Sequence, residues 1–174
     1  MTTLAYRDGV IAGDSLTWDG NTCNGMIKKC GVMADGSLWG YAGTVAYLDK
    51  IRLWLACPLG DPPECKDSEL LIVLRDGRVR SWEAEAWCDI EAPFRALGSG
   101  ADVARGAMAM GASAEQAVKI AADLDAFTGG PIISFSLAPA TPEDDDLDIP
   151  DEVYEQPPAP LSARQKIRQE MGLE

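Results

Sequence analysis

Threonine at the second position is where residue type and place together invite chemistry. Met1 precedes a small side chain, the context in which an initiator methionine is trimmed, and trimming sets the Thr2 amine beside its own hydroxyl. A hydroxyl is a weak nucleophile, whereas an α-amino group, with an unperturbed pKa of about 8, is a competent base near neutral pH. One residue then supplies both halves of a nucleophile–base pair. The rest of the composition gives this weight. The chain contains no histidine, so neither a Ser-His nor a Cys-His pair nor a His-ligated metal can be built. Cys23, Cys30, Cys57, Cys65 and Cys88 form an odd set without a CxxC. They read as reduced thiols, with an approach of Cys57 to Cys65 around PLGDPPE left open. No metal or cofactor is expected. A Met-Thr start alone is common in chains without such chemistry, so the downstream residues have to carry the reading.

The elements that position Thr2 follow from patterning. TLAYRDGVIA, Thr3–Ala12, reads as two short strands around Asp8-Gly9. A second pair, Met26–Met33 and Ser37–Ala42, flanks Ala34-Asp35-Gly36. A third, Leu70–Leu74 and Val79–Trp82, flanks Asp76-Gly77. Ala86–Ile90 and Phe94–Leu97 read as further strands. Thr44–Cys57 has apolar residues at helical spacing and ends at Pro58, Pro62 and Pro63. Gly100–Met110 and Ser113–Ala126 read as helices, the latter opening with the capping box Ser113-x-x-Gln116 and broken by Gly129-Gly130-Pro131. Ile132–Leu137 is a last strand. Grouped helices between antiparallel strand runs predict an α+β fold with two sheets sandwiched between helix layers.

The 174 residues divide by composition into a domain over 1–137 and a proline-rich acidic tail over 138–174. Residues 143–174 hold ten acids and three bases and end in a segment, LSARQKIRQEMGLE, expected to form a short terminal helix. Its role is either a frayed end or a docking peptide. The formal net charge of −13 argues against nucleic-acid or anionic-membrane partners. No apolar run approaches a membrane span, and the N-terminus lacks a signal-peptide pattern, so a cytoplasmic location is expected.

Four blocks, in order, resemble the proteasome β-subunits and the HslV-type peptidases. MTTLAYRDGVIAGD resembles their start, ending in the Gly13-Asp14 pair. MIKKCGVMADGSLWGYAGT resembles their buried-lysine strand, hairpin and small-residue turn. Ala96-Leu97-Gly98-Ser99-Gly100 matches Gly-Ser-Gly before a helix, and Asp125-Ala126-Phe127-Thr128-Gly129-Gly130 matches Asp-x-x-Ser-Gly-Gly with threonine for serine. The resemblance implies the N-terminal-nucleophile hydrolase fold, a four-layer αββα sandwich of two antiparallel sheets, and a threonine peptidase acting on peptide bonds through Thr2.

It also implies roles. Asp14 would pair with a lysine whose ammonium lowers the pKa of the Thr2 amine. Apolar-basic-Lys-apolar spacing selects Lys29, while counting back from Gly40 selects Lys28. Neighbouring strand residues face opposite sides, so one alone can serve, and Lys29 is the choice made here. Gly40 would offer the backbone N–H for the oxyanion. Ser99, Asp125 and Thr128 would orient the terminal amine; a helix cap at Ser99 and a solvated charge at Asp125 are the plainer alternatives. Ile27, Leu38, Ala42 and Ala46 would line an apolar substrate pocket.

The chain departs from that family in having one helix, not two, between the AG turn and the next hairpin, and in its acidic tail. A homo-oligomeric ring is expected, with peptides or unfolded protein as substrate, and a compact member of bacteriophage or prophage type (hence the host cytoplasm) fits the shortened form. With no GxxxxGK[ST] segment, an ATP-dependent unfoldase feeding the site has to be a separate chain. The alternative is a non-catalytic structural or interaction protein, virion-associated for example, that reuses the fold.

Overall fold

The structure, a computed structural model, describes residues 1–139. The acidic tail from residue 140 onward, with the terminal helix expected in it, lies outside the described residues.

The chain starts with two strands, β1 (Thr3–Arg7) and β2 (Val10–Gly13), joined at Asp8-Gly9. Asp8 and Gly9 both have positive φ, 49° and 75°, the left-handed pair that matches a tight hairpin to strand twist. β3 (Leu16–Asp19) and β4 (Thr22–Met26) form a separate two-stranded hairpin, then β5 (Cys30–Val32) and β6 (Leu38–Ala42) begin a second sheet. The expected single strand over Met26–Met33 is therefore two: Met26 ends β4, and β5 begins only at Cys30. Sequence alone missed the β3–β4 hairpin because Thr22–Met26 is exposed throughout and shows no apolar alternation.

Helix α1 (Val45–Ala56) follows, and then β7 (Glu69–Val73), β8 (Val79–Glu83), β9 (Ala86–Ile90) and β10 (Phe94–Gly98). Helices α2 (Ala101–Ala109) and α3 (Ala114–Leu124) precede the last strand, β11 (Ile133–Ser136). The capping box forms as read: the Ser113 side chain accepts from the Gln116 amide, and the Gln116 side chain returns the bond to the Ser113 amide. The sheets are antiparallel. One has the order β10-β1-β2-β11 and the other β5-β6-β7-β8-β9.

Strand alternation decides what packs where. Leu4, Tyr6, Ile11 and Leu97 of the first sheet meet Cys30, Leu38, Leu71 and Val73 of the second in one buried cluster. Each fully buried Leu or Ile in it contributes about 1.5–3 kcal/mol from apolar surface withdrawn from water. The opposite face of the first sheet carries alanines, Ala5, Ala12 and Ala96, against Ala104 and Met108 of α2 and Ala117, Val118 and Ala121 of α3. Small residues on both sides let those helices sit close to the strands. The opposite face of the second sheet presents Trp39, Tyr41, Leu70, Ile72 and Trp82 to Leu48, Ile51 and Leu55 of α1. No described helix is long and apolar enough to cross a membrane.

The same alternation corrects two assignments. Leu38 is wholly buried in the cluster between the sheets, so it cannot line a substrate pocket. Gly40 sits mid-strand, where a Cβ would come within 2.7 Å of Ile11 Cδ1 and 3.2 Å of Leu4 Cδ1. Its missing side chain makes room for the facing sheet, not for a substrate.

Candidate active site

The start of β1 places the two threonines on opposite faces. Thr3 shares a face with Ala5, towards the helices, and Thr2 continues the face of Leu4 and Tyr6. The Thr3 hydroxyl is only 2.6 Å from the Thr128 hydroxyl and accepts from the Gly100 amide at 3.1 Å. Its backbone N–H donates to Asp14 Oδ1 at 2.8 Å, and its carbonyl accepts from the Asp14 amide at 3.0 Å. Thr3, which sequence reading did not single out, is thus the anchor for its neighbour. Period-two alternation from Leu4 was the signal that would have found it.

Thr2 is 4% exposed. Its carbonyl accepts from the Ser99 amide at 2.8 Å. Close approach there requires glycine at 98: φ is +89°, and a Cβ would fall 1.9 Å from the Thr2 carbonyl oxygen. The Thr2 hydroxyl makes no hydrogen bond to another described residue.

Behind Thr2 lies a buried ion pair. Lys29 Nζ is 2.9 Å from Asp14 Oδ1, with side-chain exposures of 3% and 0%. The ammonium also donates to the Leu16 carbonyl at 2.6 Å and to the Met1 carbonyl at 2.9 Å, so its three protons have three acceptors. Asp14 is completed by the Gly129 amide, 3.3 Å from Oδ2. Lys28 instead is exposed and holds its ammonium 5.5 Å from the centre of the Phe135 ring. Of the two lysines the sequence left open, Lys29 alone reaches Asp14 and the peptide that precedes Thr2.

Asp125 caps the C-terminal end of α3, where the helix dipole disfavours a carboxylate. Hydrogen bonds answer this. Oδ2 accepts from Ser99 Oγ at 2.8 Å and Thr128 Oγ1 at 2.6 Å, and Oδ1 accepts from the Phe127 amide at 3.3 Å. Burial raises the pKa of this carboxyl, but the bonds from Thr128 and Ser99 outweigh it and hold it below the ordinary value. Ser99 does not cap α2, whose N-cap is Gly100 without a side-chain bond. Thr2, Asp14, Lys29, Ser99, Asp125 and Thr128 therefore come together in one hydrogen-bonded network.

Electrostatics there favour a neutral amine. The Met1 amine is lowered below its usual 8.0, first by burial and then by the Lys29 ammonium, with Asp14 and Asp125 opposing. Lys29 itself is lowered from 10.5 by burial, and Asp14 works against that shift.

Thr2 opens onto a cleft of about 1220 Å³ lined also by Trp18, Ala42, Gly43, Ala46 and Ser99. Of the four residues assigned to a substrate pocket, Ala42 and Ala46 border this cleft. Ile27 does not; it packs on the aromatic cluster beneath α1. Together with Gly98, it is Gly43, not Gly40, that borders the cleft. A Cβ there would strike Ser68 Oγ and come within 2.8 Å of the Ser68 Cα, so position 43 admits no side chain. Its place directly after the buried run of β6 and before α1 was the missed signal. Trp18 packs edge-on to Phe127 with ring centres 5.5 Å apart, joining the β3–β4 hairpin to the Asp125–Gly130 loop.

No protein-family model matches this sequence, and no curated protein matches it. Solved structures do resemble it. Thiobacillus denitrificans BPH, a bacterial proteasome homologue, is 21% identical with a TM-score of 0.60, the match covering 80% of this chain and 99% of that one. The same protein in complex with epoxomicin is 22% identical with a TM-score of 0.59, over 79% of this chain and 99% of that one. At such identities the likeness rests on the course of the backbone, and on that basis the chain has a proteasome-like fold.

Proposed function

We propose that the protein is a threonine peptidase of the proteasome type, with the fold of an N-terminal-nucleophile hydrolase: two sheets enclosed between α2–α3 on one side and α1 on the other. Support for the layers comes from the three buried clusters, each joining adjacent layers. The observation that carries the activity is the Lys29 ammonium, buried, paired with Asp14 and bonded to the carbonyl of the residue before Thr2.

With Met1 in place the Thr2 nitrogen is an amide and cannot act as a base. Once Met1 is removed, that nitrogen becomes an amine in a more enclosed setting: Thr2 is 4% exposed and Met1 46%. The burial and the Lys29 charge that already depress the Met1 amine act on it there. The amine takes the proton from Thr2 Oγ1 as Oγ1 attacks the substrate carbonyl carbon. The proton then passes to the leaving amine, the peptide C–N bond breaks, and an acyl ester remains on Thr2. Water, deprotonated by the same amine, hydrolyses the ester. Gly43 borders the cleft beside Thr2, and its N–H is the group we assign to the developing oxyanion, in place of Gly40. Ser99, Asp125 and Thr128 hold the Thr2 backbone in register.

Association into a ring is part of the same reading. Its support is α1, whose Leu53 is 77% exposed on the face turned from the core.

The test combines intact mass with hydrolysis. Protein lacking Met1 is expected to cleave fluorogenic peptides and to lose activity on treatment with epoxomicin. Thr2→Ala is expected to lower kcat/KM on the order of 10³-fold or more, as removal of a nucleophile does. Retention of Met1, or undiminished cleavage by Thr2→Ala, refutes the assignment.

A further inference from the structure

The cleft that reaches Thr2 is acidic. Asp19, Glu64, Asp67, Glu83 and Glu85 line it, and Lys66 is the one cationic side chain among its lining residues. None of these five carboxylates makes a hydrogen bond or ion pair with a described residue. A sixth, Glu69, is different: its Oε1 accepts from Ser81 Oγ at 2.6 Å and Arg95 at 2.9 Å, so its charge is already answered. The five come from three separate segments, the β3–β4 hairpin, the connection between α1 and β7, and the β8–β9 turn. They converge only at the cleft.

Two further observations point to what fills it. First, Thr2 is more than nine-tenths buried, borders the cleft, and has a hydroxyl without a hydrogen-bond partner among the described residues. The polar group and the acidic walls therefore share one space. Second, no three of the described Cys, Asp or Glu side chains lie close enough together to hold a metal ion. The carboxylates are spread along the walls, a spacing that suits cationic groups distributed along an extended chain and not one small cation.

We infer that the cleft selects peptides bearing Lys or Arg side chains near the bond that Thr2 attacks. This rests on the peptidase reading above and replaces the apolar pocket that Ile27 and Leu38 would have formed. Each exposed carboxylate contributes little alone. Several of one sign around one cleft act together, raising the local concentration of a cationic substrate about 10-fold, and salt screens the effect.

The experiment uses the full chain freed of Met1 and three peptides that differ only by Arg, Leu or Glu within about three residues of the cleaved bond, a reach set by an extended chain's rise per residue. The expected order of kcat/KM is Arg over Leu over Glu, with an Arg-to-Leu ratio of about 10 that shrinks between low and high salt. The doubly substituted Glu83→Gln, Glu85→Gln protein is expected to show a smaller ratio. Equal rates, or a preference for Leu or Glu, overturn the inference and leave the peptidase reading standing. Binding of the same labelled peptides to Thr2→Ala, followed by fluorescence anisotropy, separates the two ideas. If wild type cleaves none of the peptides, the peptidase reading falls. Salt-sensitive binding of the Arg peptide to Thr2→Ala then supports cation selection by the cleft, and charge-independent binding refutes it.

Discussion

The charges behind Thr2 and those in front of it are arranged in opposite ways. Behind it, Lys29 and Asp14 are withdrawn from water, and each ammonium proton has an acceptor. In front, Asp19, Glu64, Asp67, Glu83 and Glu85 are exposed and have no ion-pair partner among the described residues. A buried charge must be paired because desolvation costs several kcal/mol per ion. An exposed one keeps its hydration and can stay single. The inner set is therefore complete without any ligand and fixes geometry. The outer set is left with charge to offer and is free to act on what enters.

The comparison breaks most readily at Lys29. Lys29→Ala leaves Asp14 charged and unpaired in the interior, and urea denaturation is expected to show a loss of about 3–5 kcal/mol along with all activity. Lys28→Ala, on the exposed neighbour, is expected to stay within about 0.5 kcal/mol of wild type. Equal effects at the two positions would mean that the buried pair does not distinguish them.

Acidity offers a second test. The Thr2 amine, as the proposed base, must be neutral to accept a proton; the burial and the Lys29 charge that push the neighbouring Met1 amine below 8.0 are expected to act on it in the same direction. Lys29 must stay charged, and its pKa is pushed below 10.5 by burial. The profile of kcat/KM against pH is therefore expected to be bell-shaped, rising through an inflection below 8.0 and falling through one below 10.5. An acid limb centred above 8.0 would remove Lys29 from the role given to it.

Thr128→Val probes the link between the two hydrogen-bonded groups. It removes the hydroxyl that donates to Asp125 and lies against that of Thr3. The expected cost is about 1–3 kcal/mol, read from the denaturation midpoint, because the buried Thr3 hydroxyl loses one of its partners. The smallest effect is expected at the cleft: Glu85→Gln changes stability by less than about 0.5 kcal/mol. A larger loss there would show that the outer carboxylates serve the fold.

Much of this was legible in the sequence because the deciding signals were local. Asp-Gly turns gave three of the hairpins, the Ser113–Gln116 box gave the start of α3, and the Gly98-Ser99-Gly100 and Asp125–Gly130 segments marked the two places that close on Thr2 and Thr3. Strand alternation predicted that only one of Lys28 and Lys29 turns inward. Which one was a matter of register, and register depends on long-range pairing: Lys29 is fixed where the Tyr41 amide bonds its carbonyl across to β6. The same limit explains Gly40 and Gly43. Gly40 lies within β6 and Gly43 directly after it, and only the tertiary structure shows that the first makes room for Ile11 and the second borders the cleft. Leu38 was assigned to a pocket for the same reason; a lone strand has two faces and does not say which one is covered.

By itself, then, the sequence determined which residue types are on hand for chemistry. A chain without histidine can build neither a Ser-His nor a Cys-His pair, and residue types do not change on folding. The tertiary structure decided which side chains meet and which line the cleft. Residues separated by 15 positions, as Asp14 and Lys29 are, meet only because two sheets pack, and the acidic lining of the cleft comes from segments that no local pattern connects.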